Sequence, residues 1–280
     1  MKYRHAFHAG NFADVHKHIT LIALLQALAR KDKGFLLIDT HAGRGLYELG
    51  SAEARRGAEA SSGIGRLAPA EGQPPEIGDY LRAVRELRQE VRQRDAYPGS
   101  PLLATRFLRP QDRAVFIEAQ IEEHVALRRA LRGHERVTVE HGDGYERIAS
   151  WLPPIERRAL VLIDPPYEDA RADQQRCTLA AAEALRRLPN AVVAVWYPIK
   201  LERDSNRWLE ALATALGKPL LCGELWLHPR DSRAGLNGSG VAIVNAPYLL
   251  EEGMQTWLPA VHRSLDVDPP QGGWSTRIVG

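Results

Sequence analysis

Apolar residues recur along the chain in short unbroken runs, each closing on a polar or glycine-bearing turn. That pattern belongs to strands buried on both faces, whereas a strand with one wet face alternates apolar and polar residues. Phe35 to Asp39 is the first run, and it ends in Asp39-Thr40-His41-Ala42-Gly43-Arg44-Gly45. Ala114 to Ile117 ends at Glu118, and Val137 to Glu140 leads into Gly142-Asp143-Gly144. Leu160 to Ile163 meets Asp164, and Ala191 to Trp196 meets Tyr197-Pro198. Helical periodicity fills the intervals, as in Ile121 to Leu131 and Thr178 to Arg187. A helix beginning near Asn11 or Asp14 precedes the first strand, with Leu21, Leu24, Leu25 and Leu28 as one apolar stripe. Pro219 to Leu227 and Gly240 to Asn245 read as an antiparallel edge hairpin joined by a long glycine-rich loop. The expectation is a seven-stranded, mostly parallel α/β sheet whose ligand site lies beyond the carboxyl ends of the strands.

Residues 50–100 break this alternation. They are rich in Ala, Gly, Glu and Arg, then turn amphipathic from Pro75, with Ile77, Leu81, Val84, Leu87 and Val91 as a packing stripe. The segment reads as a helical insertion between the first and second strands, within one domain spanning residues 1–280. Arg85, Arg88 and Arg92 share another face, either a solvated helix face or an RNA contact. Tyr97-Pro98-Gly99-Ser100-Pro101 closes the insertion with a stiff turn back toward the sheet.

A formal charge of +2 over 280 residues excludes a global polyelectrolyte, so any nucleic-acid surface is a local patch. Cys177 and Cys222 form neither a disulfide framework nor a zinc pattern, which points to a reducing cytoplasm. The longest apolar helical run, Ile19 to Ala29, falls short of the roughly 20 residues that span a bilayer. His5, His8, His16 and His18 crowd the amino terminus near Asp14, but His16 and His18 point about 200° apart on a helix, so no metal is expected.

Chemistry concentrates in Asp164-Pro165-Pro166-Tyr167. Consecutive prolines stiffen the turn and push Asp164 to extended geometry, so its carboxylate and the Pro165 carbonyl project together. An amino group conjugated to a ring is a poor nucleophile, and two aligned acceptors can hold its hydrogens while the nitrogen turns tetrahedral. Tyr167 offers a flat ring on which a base can stack. Related loops present cytosine or glutamine amides as well as adenine, and the acidic first residue leans toward adenine N6. Asp268-Pro269-Pro270 serves as an internal control, because it has no preceding strand run and reads as a plain loop.

These residues resemble the class I methyltransferases that use S-adenosylmethionine, with their Rossmann-like sheet. Among them, the chain resembles the bacterial enzymes that methylate adenine N6 in 23S ribosomal RNA. The likeness runs nearly end to end, through Tyr3 to His18, Asp39 to Gly45, Tyr97 to Pro101, Ile163 to Glu168 and Trp196 to Pro198. It implies catalysis by Asp164, Pro165 and Tyr167, with His18, His41, Ser100, Glu118, Asp143, Gly144 and Asp164 around the cofactor and Tyr3 on substrate RNA. Glu118 would accept the ribose hydroxyls and Asp143 the adenine amino group of the cofactor. His41 stands where the wider methyltransferase pattern has a small residue. The implied substrate is one adenine of 23S rRNA, adenine 2030 by that resemblance, flipped out of deproteinised or early-assembly RNA by a cytoplasmic monomer with no membrane contact. Rival readings are a DNA adenine-N6 methyltransferase, a silent cofactor- and RNA-binding assembly factor, and a metal-dependent hydrolase.

Overall fold

The computed structural model describes residues 5–57, 59–232, 235–265 and 271–280. Helix α1 (Phe12–Ala29) precedes the first strand, β1 (Leu36–Asp39). A small ladder, β2 (Leu46–Glu48) with β3 (Ala96–Pro98), brackets α2 (Ala52–Gly57) and α3 (Pro75–Glu90). Then follow α4 (Ser100–Ala104), β4 (Arg113–Glu118), α5 (Ile121–Ala130), β5 (Val137–His141), α6 (Gly144–Trp151), β6 (Ala159–Ile163) and α7 (Ala170–Arg187). The chain continues through β7 (Val192–Ile199), α8 (Glu202–Leu216), β8 (Leu220–Trp226), β9 (Gly238–Val244), α9 (Leu250–Leu265) and β10 (Gly273–Val279).

The main sheet runs β10-β8-β9-β7-β6-β1-β4-β5. Neighbours from β5 to β7 pair in parallel, β9 inserts antiparallel between β7 and β8, and β10 pairs antiparallel with β8. This is the expected Rossmann-like α/β sheet, mostly parallel with an antiparallel edge. The order reverses between β1 and β6, so the chain leaves β1 in one direction and returns on the other side, which opens a crevice beyond their carboxyl ends.

Strand pleating divides the interior into two cores. Leu36 and Ile38 of β1 face α6, α7 and α8, while Leu37 faces the layer of α1, α3 and α9. The predicted stripe Leu21, Leu24, Leu25 and Leu28 is buried, but α1 is covered on nearly every side, and His16, Lys17, His18 and Thr20 are buried with it. The helix is wedged among α3, α4, α9 and β9, so it has no solvated face for them. Asn11 caps it by accepting the Asp14 backbone N–H at 2.9 Å.

Three elements differ from the pattern reading, two strands and one helix. The main sheet has eight strands instead of seven, because Gly273–Val279 adds β10 outside β8. Its paired glycines look like a loop in sequence, yet a side chain at Gly273 would run into the Trp226 indole, so the gap lets two strands pass. Strand β7 also runs on through Tyr197 and Pro198 to Ile199. Strand β6 stops at Ile163 opposite Val195, and beyond that point β7 pairs only with β9, a half-edge position that tolerates proline. Helix α7 begins at Ala170, well before Thr178, because the Asp169 side chain caps it. The Asp268-Pro269-Pro270 control lies outside the described residues.

In α3, Ile77, Val84 and Leu87 are buried as expected, and Tyr80 joins them. Arg88 turns inward to donate to the Ala96 carbonyl at 2.9 Å, leaving Arg85 and Arg92 exposed. Ile22 is fully buried on α1, so Ile22→Ala is expected to cost about 3 kcal/mol in a urea titration. Asn11→Ala, which removes only the cap, should cost about 1 kcal/mol in the same measurement.

Candidate functional site

Strand β6 ends at Ile163 and delivers Asp164 to the carboxyl edge of the sheet, next to the end of β1. The Asp164 carboxylate accepts the Lys17 ammonium from the first turns of α1. Lys17 also lies 3.2 Å from Asp14, whose carboxylate takes the Gly10 backbone N–H at 2.9 Å and pairs with His5 at 3.0 Å. A buried carboxylate, ammonium, carboxylate chain thus crosses from α1 to the end of β6. Burial drives the Asp164 pKa above the ordinary carboxylate range, and the Lys17 charge opposes that rise. Burial pushes Asp14 the same way, but there His5 and Lys17 win and hold it well below the usual value.

Tyr167 sits two prolines further on with a left-handed φ of 51°. Its hydroxyl donates to the Trp196 carbonyl at 2.8 Å, and its ring meets Trp196 edge-on at 5.6 Å between centroids. Both rings line the cleft. The Cys177 thiol lies beneath, 3.7 Å from the Tyr167 hydroxyl and 3.9 Å from that of Tyr145, and burial raises its pKa to about 12.

The other strand ends converge on the same cleft, about 650 Å³ in volume. After β1, the Asp39 carboxylate accepts the Ser100 hydroxyl at 2.6 Å and the His41 backbone N–H at 3.2 Å, and burial lifts its pKa to about 7. The Thr40 hydroxyl donates its single proton to the Leu162 carbonyl, so His41 donates to Thr40 from Nδ1 at 2.7 Å and keeps Nε2 as an acceptor. Burial lowers the His41 and His18 pKa values to about 3, so both rings are neutral. His18 is fixed to the Tyr97 hydroxyl at 2.9 Å, and Tyr97 in turn to Tyr80.

At the end of β4, Glu118 accepts the Gly43 and Gln120 backbone N–H groups at 2.9 and 2.7 Å; its burial raises its pKa against those bonds. Asp143 caps α6 by accepting the Tyr145 N–H at 3.0 Å and also pairs with Arg176 of α7. The Arg176 guanidinium lies 4.1 Å above the Tyr145 ring. A side chain at Gly144 would collide with the Thr40 carbonyl, so only glycine lets β1 and α6 approach this closely.

Every proposed site residue among those described lines this cleft: His18, His41, Ser100, Glu118, Asp143, Gly144, Asp164, Pro165 and Tyr167. Tyr3 lies outside the described residues. Sequence reading missed Lys17, Asp14 and Arg176. A lysine three residues after an aspartate at a helix start looks like a solvated pair, and only the packing around α1 makes it internal. The crowded histidines go separate ways: His5 to Asp14, His8 to Glu59 at 2.8 Å, and His16 to Ser239 at 2.9 Å. Among the described residues no three of His, Cys, Asp and Glu are grouped as a metal shell would require.

Residues 32–279 match the family model described as ribosomal RNA large subunit methyltransferase D, RlmJ. A Haemophilus influenzae protein named ribosomal RNA large subunit methyltransferase J is 37% identical over 279 residues, covering 100% of this chain and 99% of the relative. The Escherichia coli protein of the same name is 38% identical over 265 residues, covering 95% and 94%. A crystal structure from Legionella pneumophila superposes with a TM-score of 0.86 at 31% identity, covering 96% of this chain and 98% of that one.

Removing one member of a buried ion chain leaves the others uncompensated. Lys17→Met is therefore expected to cost about 3 kcal/mol in a urea titration. Adding Asp164→Asn to that background should recover part of the loss, because the stranded charge goes with it.

Proposed function

We propose that this chain, which belongs to the family of ribosomal RNA large subunit methyltransferase D, RlmJ, methylates N6 of one adenine in 23S ribosomal RNA with S-adenosylmethionine as donor. Membership makes it a large-subunit rRNA methyltransferase; the cofactor, the adenine and its N6 are the reading of the cleft. The observation that carries this reading is Asp164, set by a Pro-Pro-Tyr turn into the same cleft as Glu118 and Asp143.

The residues fit the cofactor. Glu118 keeps acceptor capacity beyond its two backbone partners, which suits a ribose diol. Asp143 faces the cleft as an acceptor for an adenine amino group, and Gly144 lines the cleft beside it. Neutral His18 and His41, with Ser100, line the same cleft as those carboxylates and Asp164. When bound, S-adenosylmethionine supplies a methyl group activated by a sulfonium.

The protein's share is positioning and charge. Asp164 and the Pro165 carbonyl accept the two amino hydrogens of the flipped adenine, and Asp164 takes the proton that becomes acidic as the nitrogen gains its methyl group. Lys17 holds Asp164 ionised in a buried place where it would otherwise drift toward neutrality. Tyr167, braced on Trp196, walls the base pocket. An adenine inside a duplex is out of reach of such a cleft, so the base must leave its stack. Deproteinised or early-assembly RNA in the cytoplasm meets that need, and adenine 2030 is the position implied by family resemblance.

The direct test is transfer of labelled methyl from S-adenosylmethionine to unmodified, deproteinised 23S rRNA, with DNA as control and nucleoside analysis of the product. Labelled N6-methyladenine in RNA alone is expected; label in DNA, or in another base, would refute the reading. Asp164→Ala should lower turnover at least about 100-fold while cofactor binding persists. The pH profile carries its own sign. Asp164 acts as the carboxylate, so activity falls as pH drops through its raised pKa. Losing Lys17 removes the charge that lowers that pKa, so Lys17→Met should move the acid limb of kcat/KM to higher pH.

A further inference from the structure

Among the described residues, the non-glycine residues with left-handed backbone are Arg92, Arg157, Tyr167, Asn245 and Leu249. Tyr167 belongs to the cleft, where strain holds a functional turn. Arg157, Asn245 and Leu249 meet at the opposite end of the sheet, where the parallel strands begin. Asparagine takes that conformation readily, whereas arginine and leucine do so at a cost.

Hydrogen bonds tie this end into one surface. The Asn245 amide donates to the Pro189 and Ala191 carbonyls at 3.0 and 2.7 Å, and the Asn190 amide reaches the Arg157 carbonyl at 3.4 Å. Arg158 donates to the carbonyls of Leu28, at 2.8 Å, and Lys33. Arg30 donates to the Tyr248 carbonyl at 3.4 Å. From this scaffold Tyr248 stands 83% exposed, the barest aromatic ring among the described residues, with Leu249 at 43% beside it.

Exposed cations share this end of the sheet. Arg30, Lys31, Lys33 and Arg157 are exposed, and none of them forms an ion pair among the described residues. Asp32 is exposed in the same loop as Lys31 and Lys33, and Glu251 and Glu252 follow Tyr248 in the first turn of α9, so the cations outnumber the acids here by one. Protruding aromatics flanked by unpaired cations are what single-stranded nucleic acid stacks on and what its phosphates seek.

We propose that this face is a second RNA-contact surface, which stacks an unpaired base on Tyr248 and takes phosphates on Arg30, Lys31, Lys33 and Arg157. It rests on the reading of the substrate as ribosomal RNA, and it engages a stretch remote from the methylated adenine. From Arg158 to Asp164 the chain runs along one strand, roughly 20 Å, and RNA must pass around the outside of the fold to touch both ends. A short fragment in the cleft cannot do so. The surface therefore adds affinity for long RNA and nothing to the chemical step.

The experiment compares Tyr248→Ala and the double variant Lys31→Glu/Lys33→Glu with the parent on transcribed full-length 23S rRNA and on a short RNA carrying the target adenine. Tyr248→Ala should raise KM for the long RNA about five-fold or more, the loss of one stacked base. The double variant should reduce the slope of log binding constant against log salt by about two units. On either RNA kcat should stay at the parent value, as should KM for the short RNA and the melting temperature. An unchanged KM and salt slope on long RNA, as expected of a face that docks a second copy or another protein, would overturn the proposal, and so would an equal rise in KM on both RNAs. Binding needs no turnover, so absent methyl transfer would count against the adenine reading while the salt slope still judged the surface.

Discussion

Helices cover both faces of the inner parallel strands β1, β4, β6 and β7, and that double burial governs the rest of the molecule. Strand β5, expected to be buried on both faces, stands at the sheet edge with Thr138 exposed. A polar side chain has no place along the inner strands, because neither face meets water. Polar residues are displaced to the strand ends, and the reversal of order between β1 and β6 gathers those ends around one crevice. Asp39, Glu118, Asp143 and Asp164 are neighbours for that reason, although they come from four separate stretches of chain. Their crowding would be self-defeating without donors. Backbone N–H groups, Ser100, Arg176 and Lys17 supply these, each from an element that the sheet order brings alongside.

Helix α1 has an unusual part in this. It sits under the crevice with almost no wet surface, so its polar residues are committed to internal partners. His16 reaches β9, Lys17 reaches β6, and His18 reaches β3. One helical turn thereby touches the antiparallel strands, the strand that ends at Asp164 and the end of the insertion. The helix reads as a packing element by its leucines and as part of the site by its charges, and it is both.

How much could be read from sequence follows from the range of the forces involved. Strands β1, β4, β6 and β8 announce themselves by local apolar runs and β5 by alternating valines, and the site residues follow because they stand at the strand ends. Strand β10 is hidden, since Gly272 and Gly273 serve a long-range need to clear Trp226 that a local reading takes for a loop. Lys17 is hidden for a similar reason: its helix is covered by β9 and α9, elements more than 200 residues further along the chain. Arg88 looked like part of a free arginine face and is spent on its own backbone neighbour, the Ala96 carbonyl. Local pattern reveals where polar residues must gather; only the assembled packing reveals which cations neutralise them.

The Cys177 thiol gives the cleft an internal reporter. It lies between the hydroxyls of Tyr145, next to Asp143, and Tyr167, which follows Asp164 and its two prolines, and it is buried and held protonated. Cys222, likewise protonated at neutral pH, is buried in the same core layer but among the antiparallel strands, in β8 between β9 and β10. An electrophile can reach Cys177 only when the two tyrosine walls part, and Cys222 only when the edge strands open. The rates at which the two sulfurs are alkylated would therefore separate breathing of the cleft from fraying of the sheet in a single protein, without any label being introduced.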